Sequence, residues 1–120
     1  MKTLKKILLI NDDPAVTTLL KTYLLNKTTK IILAHTYLEV LSVLKTNNFD
    51  LILTDISITG TSGFQLIETI KNSNLGCKII VITGMDQENQ QTMFKQFGIS
   101  SFLNFPVSLN ALNANIKEVL

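Results

Sequence analysis

Short apolar runs constrain the fold more than any other feature of this sequence. Each has three or four residues, is rich in isoleucine and leucine, and is bounded by polar residues. They are Ile7–Ile10, Ile31–Leu33, Leu51–Leu53 and Ile79–Ile82. Runs this short are typical of strands buried in a parallel sheet, because a buried helix needs a longer stretch. A fifth strand is predicted near Ser101–Asn104.

Between the runs the apolar spacing becomes helical, which predicts five helices alternating with five strands. The predicted inward stripes are Val16, Leu19, Leu20, Tyr23 and Leu24; Leu38, Leu41 and Leu44; Phe64, Ile67 and Ile70; and Leu112, Ile116, Val119 and Leu120. A more polar helix is predicted over Gln87–Phe97. Predicted caps at the helix starts are Asp13, Thr36, Ser62, Asp86 and Ser108. Right-handed crossovers then place helices on both faces of one doubly wound parallel sheet, an α/β fold.

Composition narrows the classes of function. The chain has 120 residues and is 46% apolar, which predicts one domain over residues 1–120 with a real core. Its 11 basic residues are all lysines and its net charge is +2, which argues against nucleic-acid binding. The single cysteine, Cys77, cannot form an internal disulfide, so we expect a cytoplasmic protein. No apolar run approaches the roughly 18 residues of a membrane span.

Polar residues follow the predicted strands, where parallel α/β sheets bind their ligands. The first strand is followed by Asn11, Asp12 and Asp13, and the third by Asp55. Because Asp12 and Asp55 should converge, their like charges favour a cation between them. Magnesium suits two carboxylates completed by water and phosphate oxygens. A carboxylate in such a site can also act as a nucleophile that accepts a phosphoryl group.

Four segments, in order, carry a family resemblance that covers the whole chain. They are Ile7–Pro14, Asp50–Asp55 with Gly60 and Gly63 after it, Ile79–Gly84, and Gly98–Pro106. Together they resemble the receiver domain of bacterial two-component response regulators. The resemblance implies a flavodoxin-like sheet with strand order 2-1-3-4-5. It also implies phosphoryl transfer from a histidine kinase or phosphotransfer protein, with no catalysis beyond the domain's own phosphorylation and dephosphorylation.

The resemblance also assigns roles at the acidic end of the sheet. Asp55 is expected to be the phosphoacceptor. Magnesium is expected to bind Asp12, Asp55 and the backbone carbonyl of Ser57. Asp13 is interpreted as a helix cap, and Thr59, in place of the usual proline, as a mild change.

Further positions follow from the same resemblance. Thr83 is expected to supply a switch hydroxyl, and Gly84 to leave space for the phosphodonor. Met85 cannot orient an attacking water, which predicts a long-lived phosphoryl group. Output is expected through the face of the fourth helix, fifth strand and fifth helix, with Phe102 at the aromatic switch position. Through that face the domain would meet an effector domain or partner protein, and a homodimer is left open.

Two departures from the family pattern alter this expectation. Asn11 replaces the first of the acidic pair, and Phe105 replaces the lysine that precedes Pro106. The lost acid and the lost lysine offset each other, so Asp12 and Asp55 alone leave a formal charge of −2, as in a typical pocket. We expect weaker magnesium binding, slow phosphorylation and altered switching.

Other interpretations stay open at this stage. A pseudo-receiver, used as a protein-interaction module without phosphorylation, is favoured by Asn11 and Phe105. The aromatic residues of the expected output face serve either as core or as a partner-binding patch; they are Phe94, Phe97, Phe102 and Phe105. A nucleotide or flavin binder is disfavoured because no glycine-rich loop follows the first strand. An aspartyl-phosphate hydrolase is disfavoured because Ser57 stands where its second aspartate would be.

Overall fold

A computed structural model describes residues 4–25, 28–73, 76–84 and 98–119. Its elements are β1 (Leu4–Ile10), α1 (Pro14–Leu24), β2 (Thr28–Ala34), α2 (Tyr37–Thr46), β3 (Leu51–Thr54), α3 (Gly63–Ser73), β4 (Lys78–Thr83), β5 (Ser101–Asn104) and α4 (Leu109–Val119). The helix predicted over Gln87–Phe97 and its cap Asp86 lie outside the described residues. Within the described ranges, no helix has the length and hydropathy needed to cross a membrane.

The strands form one parallel sheet in the order β2-β1-β3-β4-β5, which confirms the flavodoxin-like prediction. Ile10, at the end of β1, pairs with Ala34 of β2 on one side and with Thr54 of β3 on the other. On the far side of the sheet, Thr83 of β4 pairs with Asn104 of β5. The carboxyl ends of all five strands therefore lie along one edge, where the predicted acidic residues follow them.

Alternating strand residues divide the core into two clusters, one on each face of the sheet. The α2–α3 cluster contains Leu8, Ile10, Ile52 and Val81 of the strands, packed with Val40, Leu44, Leu66, Ile67 and Ile70 of the helices. The α1–α4 cluster contains Ile7, Leu9, Leu51, Leu53, Ile80 and Ile82, packed with Leu20, Leu24, Leu112 and Ile116. Every residue of β3 is buried, as expected for a central strand with helices on both faces. Helix packing on both faces confirms the doubly wound arrangement.

The predicted helix caps that fall on described residues are confirmed. In each, a side-chain oxygen accepts a backbone N–H of the first turn. The pairs are Asp13 with Ala15 at 2.9 Å, Thr36 with Glu39 at 3.2 Å, Ser62 with Gln65 at 3.2 Å, and Ser108 with Ala111 at 3.1 Å. Local sequence therefore sets where α1 to α4 begin.

For some helix residues the prediction that they face inward is wrong. Leu38 is 78% exposed, and Leu19 and Phe64 are also exposed. On α2 the buried residues are Val40 and Leu44, one turn apart, so the inward face is rotated away from Leu38. Ile31–Leu33 were expected to be buried but are only partly covered, because β2 is an edge strand.

Leu38 and Leu44, both on α2, give a direct test of this rotation. Leu44→Ala should lower the free energy of unfolding by about 2–5 kcal/mol, because it opens a cavity in the α2–α3 cluster. Leu38→Ala should change it by less than about 0.5 kcal/mol, since an exposed side chain is removed. Urea unfolding followed by circular dichroism measures both. Equal losses in the two variants would contradict the rotation.

Candidate functional site

The pairing of β1 with β3 brings Asn11 and Asp55 together at the carboxyl edge. Ile10 and Thr54 are register partners, and the N–H of Asp55 donates to the carbonyl of Ile10 at 3.0 Å. The residues that follow them are therefore neighbours. The Asn11 amide Nδ2 donates to Asp55 Oδ2 at 3.4 Å, and the Asn11 side chain is almost fully buried.

The Asp55 carboxylate is oriented on both of its oxygens. Its Oδ1 accepts from the backbone N–H of Ser57 at 3.1 Å, while Oδ2 faces Asn11. The hydroxyl of Thr54 donates to the Asp55 backbone carbonyl at 2.7 Å, which fixes the main chain at the same point. Asp55 is nevertheless only partly buried. It is an ordered carboxylate that an incoming reagent can reach.

The two remaining acids of the cluster are both exposed but differ in their contacts. Asp13 caps α1, as predicted, and its own N–H donates to Asn11 Oδ1 at 2.9 Å. Asp12 lies between Asn11 and Asp13 in the turn that leaves β1. The turn thus uses Asp13 to start a helix, and Asp12 directly follows Asn11 at the exposed end of β1.

The oxygen ligands at this edge fit a magnesium ion that keeps most of its water. The described residues contain no group of three or more His, Cys, Asp or Glu side chains arranged to hold a metal. Two carboxylates, Asp12 and Asp55, and the carbonyl of Ser57 are hard oxygen ligands. Magnesium is commonly bound by one or two carboxylates together with phosphate oxygens and water. A sparse set of this kind suits it better than an ion that needs a full protein cage.

Thr83 and Gly84 end the neighbouring strand β4. Thr83 is 1% exposed, and its carbonyl accepts the N–H of Phe105 at 3.0 Å. Gly84 is exposed, and a Cβ built on it would meet no heavy atom within 4 Å. Among the described residues, nothing fills the space beside Gly84. Met85 lies outside the described residues.

The two described phenylalanines of the expected output face pack in opposite directions. Phe102 packs against the α2–α3 cluster, and Phe105 against the α1–α4 cluster. Phe105 therefore does not share a core cluster with Phe102. Its partly buried ring joins the cluster that holds Leu112 of α4. Phe94 and Phe97 lie outside the described residues.

The loop after Asp55 is anchored to the start of α2, a contact that the sequence interpretation missed. The N–H of Tyr37 donates to the carbonyl of Thr59 at 3.0 Å, and the Tyr37 hydroxyl hydrogen bonds with Thr69 of α3 at 2.8 Å. Gly60 follows with φ of 103°, and a Cβ there would lie 3.2 Å from the Tyr37 Cβ. The only sequence signal was the glycine itself, which gives no indication of its partner.

His35, the only histidine, lies behind the acidic edge. Its Nε2 hydrogen bonds with Thr17 Oγ1 at 3.0 Å, and its N–H donates to Glu39 Oε1 at 2.9 Å. Thr17 is fully buried and its hydroxyl also donates to the carbonyl of Pro14 at 3.1 Å. These contacts tie the first turn of α1 to the end of β2, so His35 is a hydrogen-bonded residue at a strand end.

Cys77 is remote from this edge and is not suited to nucleophilic chemistry. Burial, with a smaller contribution from the Asp50 carboxylate, raises the pKa of the Cys77 thiol to about 12. The thiolate is the reactive form, so little of it exists near neutral pH.

With this geometry known, comparisons with other proteins identify the family. The family model for the response regulator receiver domain matches residues 7–117. The alkaline phosphatase synthesis transcriptional regulatory protein PhoP of Bacillus subtilis is 27% identical over 116 residues, 97% of this chain and 48% of that protein. The transcriptional regulatory protein GlrR of Escherichia coli is 30% identical over 114 residues, 95% of this chain and 26% of that protein.

Solved structures of receiver domains are also similar to this chain. The receiver domain protein of Methanospirillum hungatei has a TM-score of 0.87 at 28% identity, covering 97% of this chain and 93% of that one. A two-component response regulator from Clostridium difficile has a TM-score of 0.88 at 28% identity, covering 96% and 94%. The chain belongs to the response regulator receiver domain family, a class of signalling modules in two-component systems. It spans about half or less of the length of the curated relatives named above.

The contact between Gly60 and Tyr37 in the loop after Asp55 can be tested by mutation, with Gly84 as the control at the same edge of the sheet. Gly60→Ala should destabilise the domain by about 1–3 kcal/mol, because alanine disfavours a positive φ and its methyl would press on Tyr37. Gly84→Ala, whose Cβ meets open space, should change stability by less than about 0.5 kcal/mol. Thermal and urea unfolding measure the difference. A Gly60→Ala variant as stable as Gly84→Ala would show that Tyr37 does not fix this loop.

Proposed function

We propose that residues 1–120 act as a phosphorelay receiver that accepts a phosphoryl group on Asp55. The donor is a histidine kinase or phosphotransfer protein, and the cofactor is a weakly held magnesium ion. The observation that carries this is the Asp55 carboxylate, which is partly exposed at the end of a buried strand and oriented by Ser57 on one oxygen and Asn11 on the other.

The transfer is a nucleophilic displacement by a carboxylate. One oxygen of Asp55 forms a bond to phosphorus while the bond from phosphorus to the donor histidine nitrogen breaks. The nitrogen keeps the electron pair and the donor imidazole leaves, so the product is an acyl phosphate on Asp55. The donor would approach past Gly84, where a Cβ would meet no heavy atom of the described residues within 4 Å.

Asp12, Asp55 and the carbonyl of Ser57 are the groups that would hold magnesium in this pocket. When bound, the ion supplies positive charge that stabilises the oxygens of the phosphoryl group. In the same transfer, the role of the chain's own residues is orientation: Thr54 fixes the Asp55 main chain, and Ser57 fixes one carboxylate oxygen. Thr83 would turn its hydroxyl to the phosphoryl group.

Phe105 is the main reason to expect altered switching. Its ring packs against the α1–α4 cluster, and an apolar ring supplies no positive charge to the pocket. The Phe105 N–H donates to the carbonyl of Thr83 at the end of β4, a backbone contact that does not involve Asp55. We propose slow phosphorylation and a switch weaker than that of receivers with a lysine at this position.

The output partner is proposed from the family and from the described part of the expected face. The relatives named above as transcriptional regulatory proteins are at least twice as long as the matched segment. We therefore propose an effector domain or a partner protein as the recipient of the signal, contacted through β5, α4 and the segment before β5. A homodimer through this face is a further candidate assembly.

A pseudo-receiver is the second candidate function, and one observation favours it. Asn11 already donates to Asp55 at 3.4 Å, so the acceptor has a protein partner without phosphorylation or metal. In that case the domain binds its partner constitutively and Asp55 is retained as a structural residue.

Phosphodonor chemistry separates these two functions. Incubation with acetyl phosphate and magnesium should add the mass of one phosphoryl group to the intact protein, slowly, and beryllofluoride should shift NMR signals near Asp55. Asp55→Asn should abolish the adduct. Asp12→Asn should slow its formation by roughly tenfold or more, the scale of losing about 1.4 kcal/mol of magnesium binding. If an ordinary receiver reacts under the same conditions and this chain does not, the domain is a pseudo-receiver.

Restoring the family residues tests our account of the departures. The double variant Asn11→Asp with Phe105→Lys should form the acetyl phosphate adduct at least several-fold faster than the wild-type chain, because it gains a carboxylate for the hydrated ion and a cation for the phosphoryl group. Intact mass against time gives both rates. Phe105→Leu is the matched control, since it keeps an apolar side chain without adding charge. A double variant no faster than wild type would contradict this account.

A further inference from the structure

The orientation of the Asn11 amide is determined by its neighbours. Its Oδ1 lies 2.9 Å from the backbone N–H of Asp13, a group that only donates. The oxygen must therefore face Asp13, and the NH₂ group must face Asp55, whose Oδ2 lies 3.4 Å away. Because the side chain is only 9% exposed, water contributes little to this choice. The amide bridges the turn after β1 to the acceptor at the end of β3.

We propose that Asn11 is a positioning residue that holds Asp55 in place without a metal ion. Both oxygens of the Asp55 carboxylate then receive a neutral donor, the Ser57 N–H on Oδ1 and the Asn11 amide on Oδ2. Neutral donors stabilise a carboxylate without adding charge to the pocket. Asn11 is thus more than a lost metal ligand, because it lets the unphosphorylated site hold Asp55 without a bound cation. Only the description of Asp55 as an acceptor rests on the proposed function.

A carboxylate at position 11 would reverse this arrangement. Aspartate has nearly the same shape as asparagine, so one oxygen would accept from the Asp13 N–H and the other would face Asp55 Oδ2. Two anionic oxygens would then meet in a partly buried position, where water and salt screen their repulsion less than at the open surface. Two carboxylates held this close are stabilised by a cation between them. An aspartate would therefore make the resting fold depend on a divalent ion, whereas Asn11 removes that dependence.

A double-mutant cycle on the full chain tests the proposal, with no phosphodonor present. Wild type, Asn11→Asp, Asp55→Asn and the double variant are unfolded thermally in EDTA and in magnesium chloride. Wild type should show little change in Tm between the two conditions. Asn11→Asp should lose about 4 °C or more in EDTA, the scale of 1 kcal/mol for a domain of this size, and should regain most of it with magnesium. In the Asp55→Asn background, the Asn11→Asp loss should largely disappear.

The opposite results overturn the proposal. The proposal fails if Asn11→Asp does not lower the Tm in EDTA, or if magnesium does not restore the Tm that this variant loses. It also fails if Asn11→Asp lowers the Tm just as much in the Asp55→Asn background. Asn11→Ala supplies a second cycle should Asn11→Asp fail to fold, because it removes the donor without adding charge. Its loss should also shrink in the Asp55→Asn background, and an undiminished loss would show that Asn11 acts on the turn alone. This test measures stability and no phosphoryl transfer. Its result is therefore independent of whether the chain forms the acetyl phosphate adduct on which the proposed function depends.

Discussion

The parallel register between β1 and β3 is the constraint on which the site depends. Ile10 and Thr54 are paired, so the next residue on each strand, Asn11 and Asp55, must be neighbours at the carboxyl edge. That register is set by burial, because both strands contribute alternate residues to both core clusters. A slip of one residue would move every apolar side chain to the opposite face. The cost of repacking both clusters therefore keeps Asp55 beside Asn11.

The electrostatics of the pocket follow from two substitutions that act together. Without a lysine at position 105, the Asp55 carboxylate has no cationic side chain from the end of β5. Without an acid at position 11, it also lacks its closest like-charged neighbour, and it gains an amide donor at 3.4 Å. Either change alone would leave the local charges more unbalanced. Together they keep the formal charge of Asp12 and Asp55 within the range that one divalent cation neutralises.

Much of the fold was predictable because local signals and burial agree. The five strands and the caps at Asp13, Thr36, Ser62 and Ser108 follow from short apolar runs and from side chains that can satisfy the first N–H groups of a helix. The inward face of α2 was not predictable, since its leucines fit more than one helical stripe. Leu44 was predicted correctly, but Leu38 fits the stripe by spacing and is exposed, while Val40, outside the predicted stripe, is buried.

The convergence of strand ends at the site was predictable, but the neutral contacts there were not. Parallel topology places the ends of β1 and β3 side by side, which the pairing of Ile10 with Thr54 confirms. The direction of the Asn11 amide depends on a backbone N–H two residues later, and the anchor on Gly60 depends on Tyr37, which is distant in sequence. The Asn11–Asp13 contact is a local turn that asparagine favours, whereas the contacts of Asn11 with Asp55 and of Gly60 with Tyr37 depend on three-dimensional distances that no residue pattern encodes. In this domain these contacts decide how Asp55 is held, because the position where a pattern would look for a charged partner is a partly buried phenylalanine packed against the α1–α4 cluster.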